Sequence, residues 1–102
     1  GVLIMGSGNI VHNLGLIDWK GGSYDWAIEF DQTAKTLIDK GDHQSLINYD
    51  KLGRAAQLSI PTPDHYYPML YTLGLQNKNE AVTYFNDQTT MGSISMRSFV
   101  IK

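Results

Sequence analysis

Residues 2–12 read VLIMGSGNIVH, and this stretch decides the fold class. The apolar run 2–5 shows no polar alternation, which is typical of a strand buried on both faces in an α/β sheet. The turn Gly6-Ser7-Gly8 then lets the backbone approach another group closely. His12 is therefore expected just beyond the carboxyl end of a buried strand, where open α/β sheets bind their ligands.

A short helical turn, a loop and then the clearest helix of the sequence follow this strand. Asn9 is predicted to cap a short helical turn that includes His12. A loop leads from there to a longer helix, with Ser23 as its N-cap and Gly41 as its C′ residue. Apolar residues recur within that helix at three- and four-residue spacing, and this pattern places Asp31 on the solvent side.

The remaining elements are shorter. Asp42 is predicted to cap a helix over about 43–49, and residues 50–60 are predicted to be irregular. Thr62 and Gly74 bracket a further helix, in which Pro68 removes a backbone hydrogen bond from the first turn. The last predicted elements are two strands, over 81–85 and 94–101.

The order strand, helices and a terminal strand pair predicts an α/β fold with a mixed sheet. The chain begins with Gly1 and continues with apolar residues, whereas natural termini are usually polar and frayed. We therefore expect residues 1–102 to be the C-terminal part of a single domain whose N-terminal half is missing.

Composition excludes several classes of protein. The chain has 102 residues and a net charge of -2, so nothing favours binding to nucleic acid. With no Cys, it has neither disulfides nor thiolate metal ligands. It contains no apolar stretch of about 18 residues, so no membrane span is expected, and a cytoplasmic location is the default. The oligomeric state is left open.

The glycine turn does not match a dinucleotide-binding fingerprint, because Val11 stands where a third Gly or Ala is needed. Of the three histidines, His43 begins a polar helix and is expected to be solvated. His12 and His65 lie in uncharged, apolar and aromatic stretches. The N-terminal end of a helix disfavours a protonated ring at His65, and a neutral imidazole suits a metal ligand or a general base.

Two histidines do not complete a catalytic metal site, so a metal would need ligands from outside this chain. Tyr66 and Tyr67 form an aromatic cluster next to His65. Core packing and an aromatic wall for a ring-shaped substrate are both compatible with that cluster.

Three segments resemble one known family. Residues 6–14, GSGNIVHNL, resemble the S-G-N-x-V-H-N-L segment of the class III extradiol ring-cleavage dioxygenases, in the 4,5-DOPA dioxygenase branch. Residues 61–71, PTPDHYYPMLY, resemble that family's P-T-P-[DE]-H-Y-x-P-L-L-Y. Residues 91–98, MGSISMRS, resemble its closing M-G-S-L-S-M-x-S.

The resemblance implies an enzyme that uses non-haem Fe(II), or holds Zn(II) when purified, to cleave small DOPA-like catechols with dioxygen. It assigns His65 to the metal and His12 to the metal and to acid–base catalysis. The aromatic side chains of Tyr66 and Tyr67 are then expected to flank the ring of the substrate. The chain alone is then expected to be inactive. The alternative is a non-catalytic metal-binding or interaction domain of the same fold.

Overall fold

The structure is a computed structural model and describes residues 2–102. Helices and short strands form one α/β unit, with three 3-10 turns between them, at 14–16, 49–51 and 63–65. The strands are β1 (Ile4–Gly6), β2 (Val82–Phe85), β3 (Thr89–Thr90), β4 (Ile94–Ser95) and β5 (Ser98–Ile101). The helices are α1 (Asp25–Lys40), α2 (His43–Ile47), α3 (Arg54–Ser59) and α4 (Tyr67–Gly74).

The main sheet has the order β1-β5-β2 and is antiparallel throughout. Ile101 at its centre pairs with Ile4 on one side and with Val82 on the other. The two strand regions predicted near the C-terminus therefore pair with each other. Met96 and Arg97 belong to neither strand and divide the second region into β4 and β5, and β4 pairs with β3 in a separate ladder.

The first strand differs from its prediction. Within residues 2–102, β1 is an edge strand with β5 on one side only. Val2, Leu3 and Met5 are 83%, 67% and 57% exposed, so the run 2–5 is not buried on both faces. An uninterrupted apolar run indicates strand propensity, but the number of neighbouring strands depends on tertiary pairing.

The core lies between the sheet and the helices, and α1 packs against both α2 and α3. Gly41 ends α1 in the left-handed conformation at φ 67°, as predicted from the sequence. The predicted N-cap was wrong: Tyr24 holds that position, and the Ser23 hydroxyl donates to the Thr89 carbonyl instead. Asp31 is 2% exposed, which contradicts its expected place on the solvent side of α1.

Asp42 caps α2 as predicted and accepts a hydrogen bond from the Ser45 backbone N–H. The helix stops at Ile47, before the predicted end. Residues 50–60 are not irregular, because α3 occupies Arg54–Ser59.

The predicted helix after Thr62 is divided in two. A 3-10 turn spans Pro63–His65, and α4 begins at Tyr67 with Pro68 in its first turn. The ring of Pro68 lacks the N–H that a continuous helix would require, which accounts for the break beside His65.

Candidate functional site

The segment that carries His12 is held in place by backbone hydrogen bonds. His12 forms an antiparallel bridge with Ile94, and its N–H donates to the Ser59 carbonyl at 2.9 Å. The N–H of Ser95 donates to the Val11 carbonyl at 2.9 Å. His12 therefore lies between β4 and the end of α3.

The predicted helical turn at Asn9 is not formed. Asn9 has φ 68°, in the left-handed region, and its N–H donates to the Ser95 carbonyl at 2.7 Å. Gly8, with φ 67°, precedes it. Two consecutive left-handed residues redirect the chain after β1 and lead it into the bridge at His12.

His65 ends the 3-10 turn that follows Pro63, and its side chain is about half exposed. Its Nδ1 lies 3.2 Å from Oδ2 of Asp64. A hydrogen bond from the Thr62 side chain is the main reason that the pKa of Asp64 lies below its usual value. Asp64 therefore remains a carboxylate near neutral pH, next to the imidazole.

The structure brings His12 and His65 together, although they belong to distant parts of the sequence. Their ring centroids are 3.7 Å apart, and the ring planes differ by 16°. Burial, followed by the proximity of His65, lowers the pKa of His12. The fold therefore favours the neutral form of the His12 ring, which is the form that accepts a proton or binds a metal.

His43 takes no part in this stack. It is the first residue of α2 and is only partly exposed. Its Nε2 is buried and has no hydrogen-bond partner among residues 2–102. The expectation that His43 is solvated is therefore wrong, because the ring packs against the protein and only part of it reaches water.

The imidazole nitrogens of His12 and His65 are suitable metal ligands, but the nearly parallel orientation of the two rings is not suited to a shared metal ion. Imidazole nitrogen is a ligand for iron and for zinc. The carboxylate of Asp64 favours a proton on Nδ1 of His65 and leaves Nε2 free to bind a metal. Lone pairs of nearly parallel rings do not converge, however, so one ring must rotate to share a metal ion. In the part of the chain that the structure describes, no three His, Cys, Asp or Glu side chains form a cluster suited to a metal.

The two tyrosines proposed at the substrate lie in different environments. Tyr66 is 1% exposed, and its hydroxyl donates to the Leu46 carbonyl at 2.6 Å. Its ring packs against Tyr49, with centroids 4.9 Å apart. The predicted substrate contact of Tyr66 is therefore corrected to core packing. Tyr67 is 45% exposed and does not line the cavity described next.

A cavity of about 230 Å³ lies beside His65. Its walls come from the end of β1 and the glycine turn, from the start of α4, and from the last strand region. The residues that line it are Met5, Gly6, Ser7, Gly8, Asn9, Ile10, Asp64, His65, Pro68, Met69, Thr72, Arg97 and Phe99.

Arg97 was not predicted as a site residue. Its guanidinium forms a buried ion pair with Asp31 of α1, and its Nη2 lies 2.7 Å from Oδ2 of Asp31. The hydroxyl of Ser95 donates to the same carboxylate. One sequence signal pointed to this network: a single arginine within the small and apolar residues of 91–101.

Relatives of the chain are found among curated proteins. The 4,5-DOPA dioxygenase extradiol of Escherichia coli K12 is 41% identical over 107 residues, covering 99% of this chain and 39% of that protein. The protein of the same name from Beta vulgaris is 28% identical over 97% of this chain and 37% of its own length. That of Mirabilis jalapa is 36% identical over 78% of this chain and 30% of its own length.

A solved structure is also similar. The crystal structure of an uncharacterized protein from Escherichia coli K12 has a TM-score of 0.83 and 36% identity, covering 93% of this chain and 41% of that one. No protein-family model matches the chain. The chain is a homologue of proteins named 4,5-DOPA dioxygenase extradiol. It spans 30% to 39% of the length of these curated relatives.

Among residues 2–102, no helix has the length and apolar character needed to cross a membrane.

Proposed function

We propose that this chain is the C-terminal part of the catalytic domain of a non-haem, metal-dependent extradiol dioxygenase. The reaction is cleavage of the ring of a small, DOPA-like catechol by dioxygen. The observation that carries the proposal is the contact between the His12 and His65 rings, 3.7 Å apart, beside a cavity. Homology to proteins named for this activity supports it.

His65 acts as a metal ligand in this proposal. It lies on a 3-10 turn framed by Pro63 and Pro68, which limits the movement of its backbone. Asp64, with its Oδ2 3.2 Å from Nδ1 of His65, would hold that nitrogen and leave Nε2 free to bind the ion. The remaining ligands would come from residues outside 2–102.

His12 acts as the acid–base residue and as a second, weaker ligand. Its lowered pKa leaves a ring nitrogen free to accept a proton from a catechol hydroxyl and to return it later in the reaction. Fe(II), when bound, would supply the site at which the catechol and dioxygen are brought together. The cavity beside His65 would hold the body of the substrate and exclude part of the water around it.

The proposal is tested with His65→Ala and His12→Ala in the complete natural polypeptide that contains these residues. His65→Ala is expected to lower metal affinity by about tenfold or more, as expected when a ligand is lost or disturbed. His12→Ala is expected to lower turnover by about 100-fold or more and to keep more metal than His65→Ala. Elemental analysis gives metal content, and oxygen uptake with a saturating catechol and Fe(II) gives turnover.

His43→Gln is the matched control, since His43 lies outside the stack, and it should keep both metal and activity. Near-normal turnover in both alanine variants would show that the assignment of these residues is wrong. Equal loss of metal in both would make His12 primarily a ligand. Metal binding without cleavage of any catechol in a panel would favour the non-catalytic alternative.

A further inference from the structure

Three serines near the C-terminus are buried although their side chains are polar. Ser93 and Ser95 are 0% exposed, and Ser98 is 2% exposed. All three belong to the stretch MGSISMRS, residues 91–98. A buried hydroxyl costs free energy unless it is hydrogen-bonded, so the partners of these serines show what their burial achieves.

Two of the serines hold the chain before His12. The N–H of Gly8 donates to Oγ of Ser98 at 3.0 Å. The N–H of Asn9 donates to the carbonyl of Ser95 at 2.7 Å. The approach to His12 is therefore tied to the last strand region at two successive residues.

The residue that follows His12 is tied to the same region by a side chain as well as by the backbone. Oγ of Ser93 donates to the carbonyl of Asn13 at 2.6 Å, and the N–H of Asn13 donates to the carbonyl of Ser93 at 3.1 Å. Nδ2 of Asn13 also donates to the carbonyl of Leu58 at 2.7 Å. Asn13 is only 9% exposed, so water competes little for these hydrogen bonds.

A shift of this backbone would be felt at the His12 ring. The ring centroid of His12 lies 3.7 Å from that of His65, which leaves no space for movement towards His65. Reacting groups depend steeply on position, and a displacement of about 1 Å can lower a rate by about 100-fold. Fixing Asn13 therefore limits where the His12 ring can lie.

We propose that Ser93 and Asn13 are positioning residues for His12, because together they fix the backbone on its C-terminal side. Neither residue lines the cavity beside His65, so neither is expected to touch a substrate. The inference rests on the proposed function in one respect: an effect on turnover requires that His12 takes part in the reaction. The hold on the backbone requires neither a metal nor a substrate and is measured separately.

Amide hydrogen exchange, followed by NMR in the metal-free complete natural polypeptide, measures that hold. Ser93→Ala should speed exchange of the His12 and Asn13 N–H groups by about fivefold or more, the factor expected for one lost hydrogen bond. Amides within α1 should keep their rates, because the opening is local. Unchanged rates at His12 and Asn13, or an equal rise in α1, would overturn the proposal.

Ser45→Ala is the matched control for Ser93→Ala. It also removes a hydroxyl that donates at 2.7 Å, but the acceptor is Asp42 at the start of α2. Exchange at His12 and Asn13 should therefore stay at the rate of the parent protein in Ser45→Ala.

A double-mutant cycle with His12→Ala shows whether Ser93 acts through His12. With Fe(II) and a saturating catechol, Ser93→Ala should lower kcat by about tenfold, with a smaller change in KM. In the His12→Ala background the same substitution should cause no further loss, because no ring is left to position. A purely structural role would lower kcat equally in both backgrounds, and that result would contradict the proposal.

Asn13→Ala is the second variant and keeps the proposal testable if Ser93→Ala does not fold. It removes the hydrogen bond to Leu58 and keeps the backbone contacts with Ser93, so it should also lower kcat in the parent background and not in His12→Ala. Equal loss in the two backgrounds would again contradict the proposal. Faster exchange at His12 in variants of a protein that cleaves no catechol would support the hold and count against the proposed function alone.

Discussion

At the scale of single residues, Asp31 and Arg97 form the most deeply buried ion pair among residues 2–102. Their side chains are 3% and 2% exposed, so each charge depends on the other for its solvation. Despite burial, which lowers it, the pKa of Arg97 lies above its usual value because of the hydrogen bonds and charge of Asp31. The pair also joins α1 to the chain next to β5.

Asp31→Ala should lower the free energy of unfolding by about 3–5 kcal/mol, since it leaves a buried guanidinium without its counter-ion. The double variant Asp31→Leu/Arg97→Met should cost less than Asp31→Ala alone, because it removes both charges. Urea denaturation followed by circular dichroism measures both. A double variant less stable than the single one would show that the pair itself is strongly stabilising.

Gly6 is a second residue whose identity is fixed by a close contact. A Cβ at this position would lie 2.8 Å from Cζ of Phe99 on the paired strand. Gly6→Ala should therefore destabilise the protein by about 1–3 kcal/mol, a cost typical of overpacking. Gly74→Ala is the control, since a Cβ added there would meet no contacting atom within 4 Å. Equal unfolding midpoints for the two variants would contradict this account of Gly6.

At the scale of elements, the sequence predicted most reliably the helix ends that are set by interactions between residues close together in the chain. Gly41 ends α1, and Asp42 begins α2, because a left-handed C′ residue and an N-cap act within one turn of the chain. The six residues of α3 were missed, although Ala55 and Ala56 favour helix, because so short a segment shows no clear apolar period.

Capping of α2 gives a prediction about pH. The side chain of Ser45, and then its backbone N–H, donate to Asp42 and lower the pKa of Asp42 below its ordinary value of 3.8. A carboxyl group whose pKa is lower in the folded state stabilises the fold fully above the unfolded pKa. That stabilisation is lost as the pH falls through the folded pKa.

Asp42→Asn keeps an acceptor but does not titrate. The difference in urea midpoint between the parent protein and Asp42→Asn should therefore be largest near neutral pH and should shrink once the pH falls below 3.8. Asp50→Asn, at an exposed carboxylate outside the α2 cap, controls for the change in net charge. A difference that stays constant from neutral to acidic pH would contradict the role of ionised Asp42.

At the scale of the whole molecule, prediction from sequence was limited by tertiary packing. The helical period placed Asp31 towards solvent, because no local pattern shows that Arg97 reaches α1 from the far end of the chain. Tyr66 was ambiguous for the same reason: a tyrosine suits both a core and a ligand wall until its neighbours are known. The contact between His12 and His65 depends on the turn before His12 and on the end of α3, which no single motif specifies.

The last prediction concerns the metal affinity of residues 1–102 compared with the complete polypeptide. Within residues 2–102, two imidazoles face each other and no third His, Asp or Glu joins them in a metal-binding cluster. Catalytic zinc sites usually have three protein ligands, and binding is weaker when the rings must first rotate out of a stack. The 102-residue chain should therefore bind Zn(II) at least about tenfold more weakly than the complete polypeptide. It should also show no ring cleavage with Fe(II).

Competition with a chromogenic chelator measures the affinity, and His65→Ala in the same chain is the control for non-specific binding. Tight one-to-one binding by the 102-residue chain, abolished by His65→Ala, would mean that these residues form a metal site without help from other segments.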